Sequence, residues 1–383
     1  MLMILRKICP VCQTQALPDD RFCMTCGHAY TPEELPVEVP DPHPENGPKM
    51  PNPKVFGLLA FKKDGRFSER AKRWFRSFKG AFRKRSNETK DDSIETHLFH
   101  PERMTPDEPF MFVRIILFFL ILFGCAILAS DVTLTVLSLS LIAPFSLLWY
   151  YYERHLPRTV NGIDVLRYFL FGGLVSIIVV YLIRAFVGYP GIPLFGDVLT
   201  GLVEEAAKIA VVLFIIRKKG IKDILTGMLV GFAVGAGFDV FETASYGISE
   251  LLEYDDYFAM LGVIAMRSGY SLVGIGHHFW TAMIAGAVIY VNPNGYYKLG
   301  YAFRPTSMVW YFLVALIHGL FNFLSGIGFG WTMIPVSLIL FLLMWRNASI
   351  RVRPAATAPE EAIPFAADEA PISEETTGQQ VEA

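Results

Sequence analysis

The sequence predicts an all-α polytopic membrane protein, about eight transmembrane helices preceded by a small cysteine-rich module. Four observations carry that reading. Of 383 residues, 53% are hydrophobic and the mean hydropathy is +0.39. The apolar residues come in blocks long enough to cross a bilayer, not in amphipathic alternation. The charges are segregated, basic before the first block and acidic at the end, so the net charge of -2 says little about partners. Finally, the apolar run from Phe195 to Ile216 contains Glu204, Glu205 and Lys208. Ionisable groups at such depth are costly unless they are paired or do work.

The chain opens with Met1 to Lys7, too short an apolar stretch for a signal peptide, so the N-terminus is expected in the cytosol. Cys9-x-x-Cys12 and Cys23-x-x-Cys26 follow as two knuckles with ten residues between them. In a reducing compartment four thiolates so spaced suit tetrahedral zinc better than two disulfides, and a closed four-Cys site is structural. Residues 1-30 therefore read as a zinc ribbon, resembling the short modules that precede many prokaryotic membrane proteins.

Residues 31-61 read as a Pro-rich linker, with eight prolines between Thr31 and Pro53. Lys62 to Arg85 holds eleven Lys/Arg against two acids, with Phe67, Ala71, Trp74, Phe75, Phe78 and Phe82 at helical spacing. Residues 62-86 are thus expected to form an amphipathic helix on anionic lipid. Nucleic acid is the weaker reading, because the stripe is more apolar than a phosphate-tracking helix needs. After a second linker at 87-109 comes the membrane domain, 110-346, and then an acidic tail, 347-383. That tail has seven acids and no Lys or Arg beyond Pro354, a composition of disorder.

Hydropathy places spans near 110-129, 132-151, 164-187, 195-216, 224-248, 267-291, 306-325 and 327-345. Basic residues cluster after spans 2, 4, 6 and 8 (Arg154, Arg158; Arg217, Lys218, Lys219, Lys222; Lys298, Arg304; Arg346, Arg351, Arg353), and the loop after span 5 is acidic. By the positive-inside rule both termini are cytosolic. Arg184 and Arg267 are the exceptions. Gly227, Gly231 and Gly235 give span 5 a small-residue face for close helix packing. The lone Cys125 in span 1 reads as a packing residue.

Polar groups converge on one layer. Glu204, Glu205 and Lys208 share a helix face at three- and four-residue spacing, so the lysine neutralises one carboxylate and leaves the other. Asp239 and Glu242 lie in span 5, His277 and His278 in span 6, and His318 with Asn322 in span 7. Counted from the outer helix ends, these groups lie roughly 9 to 15 Å deep at 1.5 Å per residue. Two carboxylates and two imidazoles in one layer suit hydrolysis, either around a divalent metal that activates water or by a carboxylate base with His and Asn donors for an oxyanion.

Glu204-Glu205-x-x-Lys208, Phe238-x-x-x-Glu242, Gly276-His277-x-x-x-Thr281 and His318-x-x-x-Asn322, in that order on four successive spans, resemble the four signature motifs of the PrsW family of intramembrane proteases. The family is related to the prenyl-protein (CAAX) proteases and to a non-catalytic scaffold of the presenilin complex. The resemblance covers residues 195 to 325. It implies endoproteolysis of a single-span membrane protein, such as an anti-sigma factor, near the outer leaflet of a prokaryotic cell membrane. It implies Glu204 as water-activating base with Glu205 beside it, and Glu242 as a second carboxylate. His277 would be a catalytic or ligand imidazole, and His318 with Asn322 an oxyanion or ligand pair. Thr243 stands where members often carry Asn, while Tyr246 is retained in type.

Two other functions compete. A non-catalytic scaffold would bind partner helices through the same polar groups but needs no paired carboxylates. A proton or ion transporter would step its polar groups across the bilayer and often repeats its halves, whereas these lie in one layer and no internal repeat is visible.

Overall fold

The computed structural model describes residues 3-11, 15-16, 37-40, 59, 98-99, 111-155, 160-188, 190-291 and 299-351. Near the N-terminus, β1 (Met3–Ile8) pairs antiparallel with β2 (Gln15–Ala16) and with β3 (Val37–Pro40), in the order β2-β1-β3. The third strand lies inside the stretch that its prolines marked as linker. Val37-Glu38-Val39 alternates β-branched with polar residues, a strand pattern that Pro36 and Pro40 bound rather than break. Cys9 follows β1 and is buried. Cys12, Cys23 and Cys26 lie outside the described residues, as do the basic segment at 62-86 and the tail beyond 351.

The membrane domain is helical. Its elements are α1 (Met111–Leu128), α2 (Val132–Arg154), α3 (Gly162–Val187), α4 (Phe195–Lys219), α5 (Ile224–Tyr254), α6 (Tyr257–Leu272), α7 (His277–Tyr290), α8 (Pro305–Gly326) and α9 (Ile334–Arg351). Among the described residues seven stretches are long and apolar enough to cross a membrane, one of them Tyr257–Tyr290, which joins α6 and α7. An eighth helix, α4, has the length, at 25 residues, but carries Asp197, Glu204, Glu205 and Lys208.

α5 is the axis of the bundle. It runs 31 residues, beyond the expected 248, because Glu250 and Glu253 continue the helix to a cap at Asp255. Its glycines do what their spacing promised. A methyl group at Gly231 would meet the Thr281 carbonyl of α7 at 2.7 Å, and one at Gly235 would meet that of His277 at 2.4 Å. Backbone contact at this range brings the start of α7 against α5. On another side, Gly237 abuts the Phe169 carbonyl and Gly173 of α3, next to a π-helical turn at Tyr168–Gly172.

The span expected at 267-291 is broken in two. α6 ends at Leu272, and Gly274 adopts φ +107, a conformation open to glycine but strained for other residues. Gly276 then leads into α7 at His277. Hydropathy averages over such a break and does not see it. The two exceptional arginines also find their reason. Arg184 is buried and donates to the Gly188 carbonyl and to Thr200, while Arg267 pairs with Glu242, so neither is a loop charge that topology must count.

Candidate active site

The chemical groups converge from several helices, and α4 brings the most. Glu204 and Glu205 are neighbours, so their side chains leave the helix about 100° apart. Glu205 points into the bundle and is fully buried. Its Oε1 accepts from Lys208 Nζ at 2.7 Å and lies 3.1 Å from His318 Nδ1, and its Oε2 accepts from the Thr281 hydroxyl at 3.2 Å. Lys208, also fully buried, reaches Nδ1 of His277 and sits 4.4 Å from the Phe238 ring centre. One carboxylate is thus saturated.

Glu204 faces the other way, onto a cavity of about 920 Å³. Its Oε2 is buried yet has no hydrogen-bond partner among the described residues. The nearest nitrogens are His318 Nε2 at 3.7 Å and Lys208 Nζ at 3.9 Å. Glu242, His277, His318 and Asn322 line the same cavity, together with Asp239, Arg267 and Trp280. All six residues singled out in the membrane therefore meet, with Glu205 behind the wall and the other five on it.

The imidazoles are oriented from behind. His318 packs against Trp280, ring centres 4.4 Å apart, and its Nδ1 faces the Glu205 carboxylate. That contact assigns the proton to Nδ1 and leaves the Nε2 lone pair toward Glu204. His277 is held at both nitrogens, Nδ1 by Lys208 and Nε2 by Glu242 Oε2 at 2.7 Å. Arg267 donates to the same Glu242 oxygen.

His278 follows His277 on α7, so its ring leaves the helix about 100° away, but it is no idle surface ring. It is fully buried between Phe232 and Phe279, with Nδ1 3.2 Å from Asp239 Oδ2 but no hydrogen bond among the described residues; that oxygen accepts from Ser271 at 2.5 Å. That angle says where the ring is not; it does not name Asp239 as the group that the ring meets. Arg267 was likewise passed over, although its apolar neighbours Met266 and Tyr270 were a signal that it was not a loop charge.

Donor atoms from Glu204, His277 and His318 lie within 4.8 Å of one another, as do those of Asp239, Glu242 and His277. One carboxylate and two imidazoles are a donor set that zinc accepts in hydrolytic sites, and the unpartnered Glu204 oxygen fits a ligand to come. Buried carboxylates and imidazoles around a cavity inside an apolar bundle define an intramembrane hydrolase. Residues 164–346 match the family model described as PrsW family intramembrane metalloprotease. Over residues 164–346 the chain carries the domain of that family, a membrane-embedded peptidase. No curated protein matches the chain, and no solved structure does.

Proposed function

We propose that the protein cleaves single-span membrane proteins near the outer leaflet, with Glu204 as the group that takes the proton of the attacking water. The observation that carries this is the Glu204 Oε2 atom, buried and without a hydrogen-bond partner among the described residues, on a side chain that lines the cavity. A carboxylate in that position accepts a proton without first surrendering a hydrogen bond.

Glu204 and His318 have donor atoms free for a divalent cation, and His277, bonded at both nitrogens, would join them only by releasing one of those bonds. Such a cation, when bound, supplies a Lewis acid and a water acidified to near neutrality, with Glu204 binding through one oxygen and keeping the other for the proton. The remaining roles follow from the hydrogen bonds. With its proton on Nδ1, His318 offers a lone pair at Nε2, which favours a ligand over an oxyanion donor. The Asn322 amide on the cavity wall is then the donor for the developing oxyanion. Glu205 and Lys208 hold the two rings and exclude water from behind.

Access to the site is sideways. α3 and α5 touch through Gly173 and Gly237, while Leu174 and Tyr181 of α3 and Tyr246 of α5 line the cavity and are also exposed. A substrate helix in the bilayer reaches Glu204 between these walls without crossing the bundle. The zinc ribbon and the basic segment at 62-86 would face the cytosol, the latter on anionic lipid, in a prokaryotic cell membrane with both termini inside.

The test is cleavage of a panel of tagged single-span proteins, an anti-sigma factor among them, by purified protein in liposomes with and without chelator. Cleavage by wild type that disappears in Glu204→Gln supports the reading. Equal cleavage by both ends it.

A further inference from the structure

Glu242 is where the two halves of the broken span meet. α6 sends it Arg267 and α7, across the break, sends it His277, and both donate to the same oxygen, Oε2. Arg267 belongs to none of the four motifs. Its other contacts all fall on α5: Nε donates to Thr243 Oγ1 at 3.1 Å, and the guanidinium lies 4.3 Å from the centre of the Tyr246 ring. Glu242, Thr243 and Tyr246 together form a receptor for one guanidinium. A planar, delocalised fork suits it, since one edge makes two hydrogen bonds and the face lies on an aromatic ring.

We propose that Arg267 is a positioning residue for the reaction centre: it fixes the Glu242 carboxylate, and that carboxylate fixes the Nε2 side of His277. The inference rests on His277 being part of the peptidase site. Charge gives the reason that such a clamp is needed. Glu204, Glu205, Asp239 and Glu242 crowd one layer, and Lys208 and Arg267 are the permanent cations beside them. Without Arg267, Glu242 would compete with Glu205 for Lys208, and Lys208 is what holds Nδ1 of His277. Losing the arginine therefore loosens His277 at both nitrogens. Thr243 has a defined task in this arrangement, since its hydroxyl receives Nε.

The experiment uses the full chain in liposomes with a tagged single-span substrate. Arg267→Met should lower kcat roughly ten- to hundredfold, the usual range for partners that orient a reacting group, with KM nearly unchanged. Arg267→Lys should recover part of the loss, because an ammonium restores charge but not fork and stacking. Arg267→Met combined with Glu242→Gln should be no slower than Glu242→Gln alone.

A readout free of turnover is the ¹⁵N imidazole spectrum of His277, assigned by its loss in His277→Asn. The signal should move in Arg267→Met and return toward wild type in Arg267→Lys. Unchanged kcat, a raised KM at unchanged kcat, multiplying losses in the double variant or an unmoved His277 signal would each overturn the proposal. If Arg267→Met does not fold, Thr243→Val removes only the Nε acceptor and should move kcat and the His277 signal in the same direction by less; no movement overturns it. If wild type cleaves nothing, the peptidase reading fails separately, and the imidazole signal alone decides the role of Arg267.

Discussion

The polar layer has a side that faces the cavity and a side that faces into the bundle, built from the same chemistry. On the inner side Glu205 is matched by Lys208, Thr281 and His318, and His278 is buried against Asp239, a residue that itself reaches the cavity wall. On the cavity side Glu204 Oε2 has imidazole and ammonium nitrogens at 3.7 and 3.9 Å and, among the described residues, no hydrogen bond. Two consecutive residues of one helix thus end in opposite states. A buried carboxylate that is saturated serves the fold, because any proton or ligand it took would cost a bond already made. One left unsaturated beside a cavity is stored reactivity.

The largest break in this comparison is Glu204→Gln. It keeps shape and removes the proton acceptor, so turnover should fall about 10²- to 10⁴-fold while folded yield and thermal stability hold. Cleavage rate per folded molecule, measured against detergent-solubilised stability, checks both halves. A variant that loses stability and rate together would place Glu204 with Glu205 on the structural side.

Next in size is Lys208→Met, on the saturated side. It leaves Glu205 buried and uncompensated, and removing one partner of such a pair costs about 3–5 kcal/mol. The expected result is loss of folded protein, seen as reduced yield and an earlier unfolding midpoint, with the rate of the surviving fraction also lowered because His277 loses its Nδ1 partner. Normal yield with a pure rate defect would mean that the lysine belongs to the chemistry.

His278→Ala should be milder and one-sided. The ring packs between two phenylalanines beside Asp239, so its loss leaves a gap and a carboxylate held only by Ser271, a cost of about 1–3 kcal/mol. Stability should drop and turnover per folded molecule should not. A lost rate at full stability would bring Asp239 and His278 into the reaction.

How much of this was legible beforehand follows from what each signal measures. Glu204, Glu205, Glu242, His277, His318 and Asn322 stood out, with Lys208, Asp239 and His278, because polar groups in apolar runs are expensive and depth along each helix is a matter of counting; the resemblance to the family motifs then chose among them. Partner choice is not. Which of Glu204 and Glu205 takes Lys208 depends on the rotation of α4 about its axis, set by Gly201 and Gly319 where α4 and α8 touch. The break at Gly274 and the use of Arg267 as a clamp are tertiary facts for the same reason. β3 was hidden because proline count and strand alternation pointed in opposite directions over the same four residues.

The smallest effect tests whether a buried, unpartnered carboxylate oxygen is by itself a mark of chemistry. Asp223, in the connection between α4 and α5, has one: Oδ1 caps α5 by accepting from Thr226 N at 2.6 Å, while Oδ2 is buried and unpartnered among the described residues. It lies outside the apolar spans and lines none of the cavity that Glu204 faces. Burial pushes its carboxyl from 3.8 up to about 6, against the opposing pull of its bonds to Thr226. The folded state therefore keeps a proton that the unfolded state has released, and stability falls as pH rises from about 4 to 6 and stays lower above. Asp223→Asn retains the cap, since Asn caps as well as Asp, and removes the ionisation. Its unfolding midpoint should exceed that of wild type at pH 7.5, the two should converge near pH 4, and cleavage should be unchanged throughout. A cleavage defect in this variant would show that unpartnered carboxylate oxygens matter here without a cavity or converging imidazoles, and the contrast between Glu204 and Glu205 would lose its meaning.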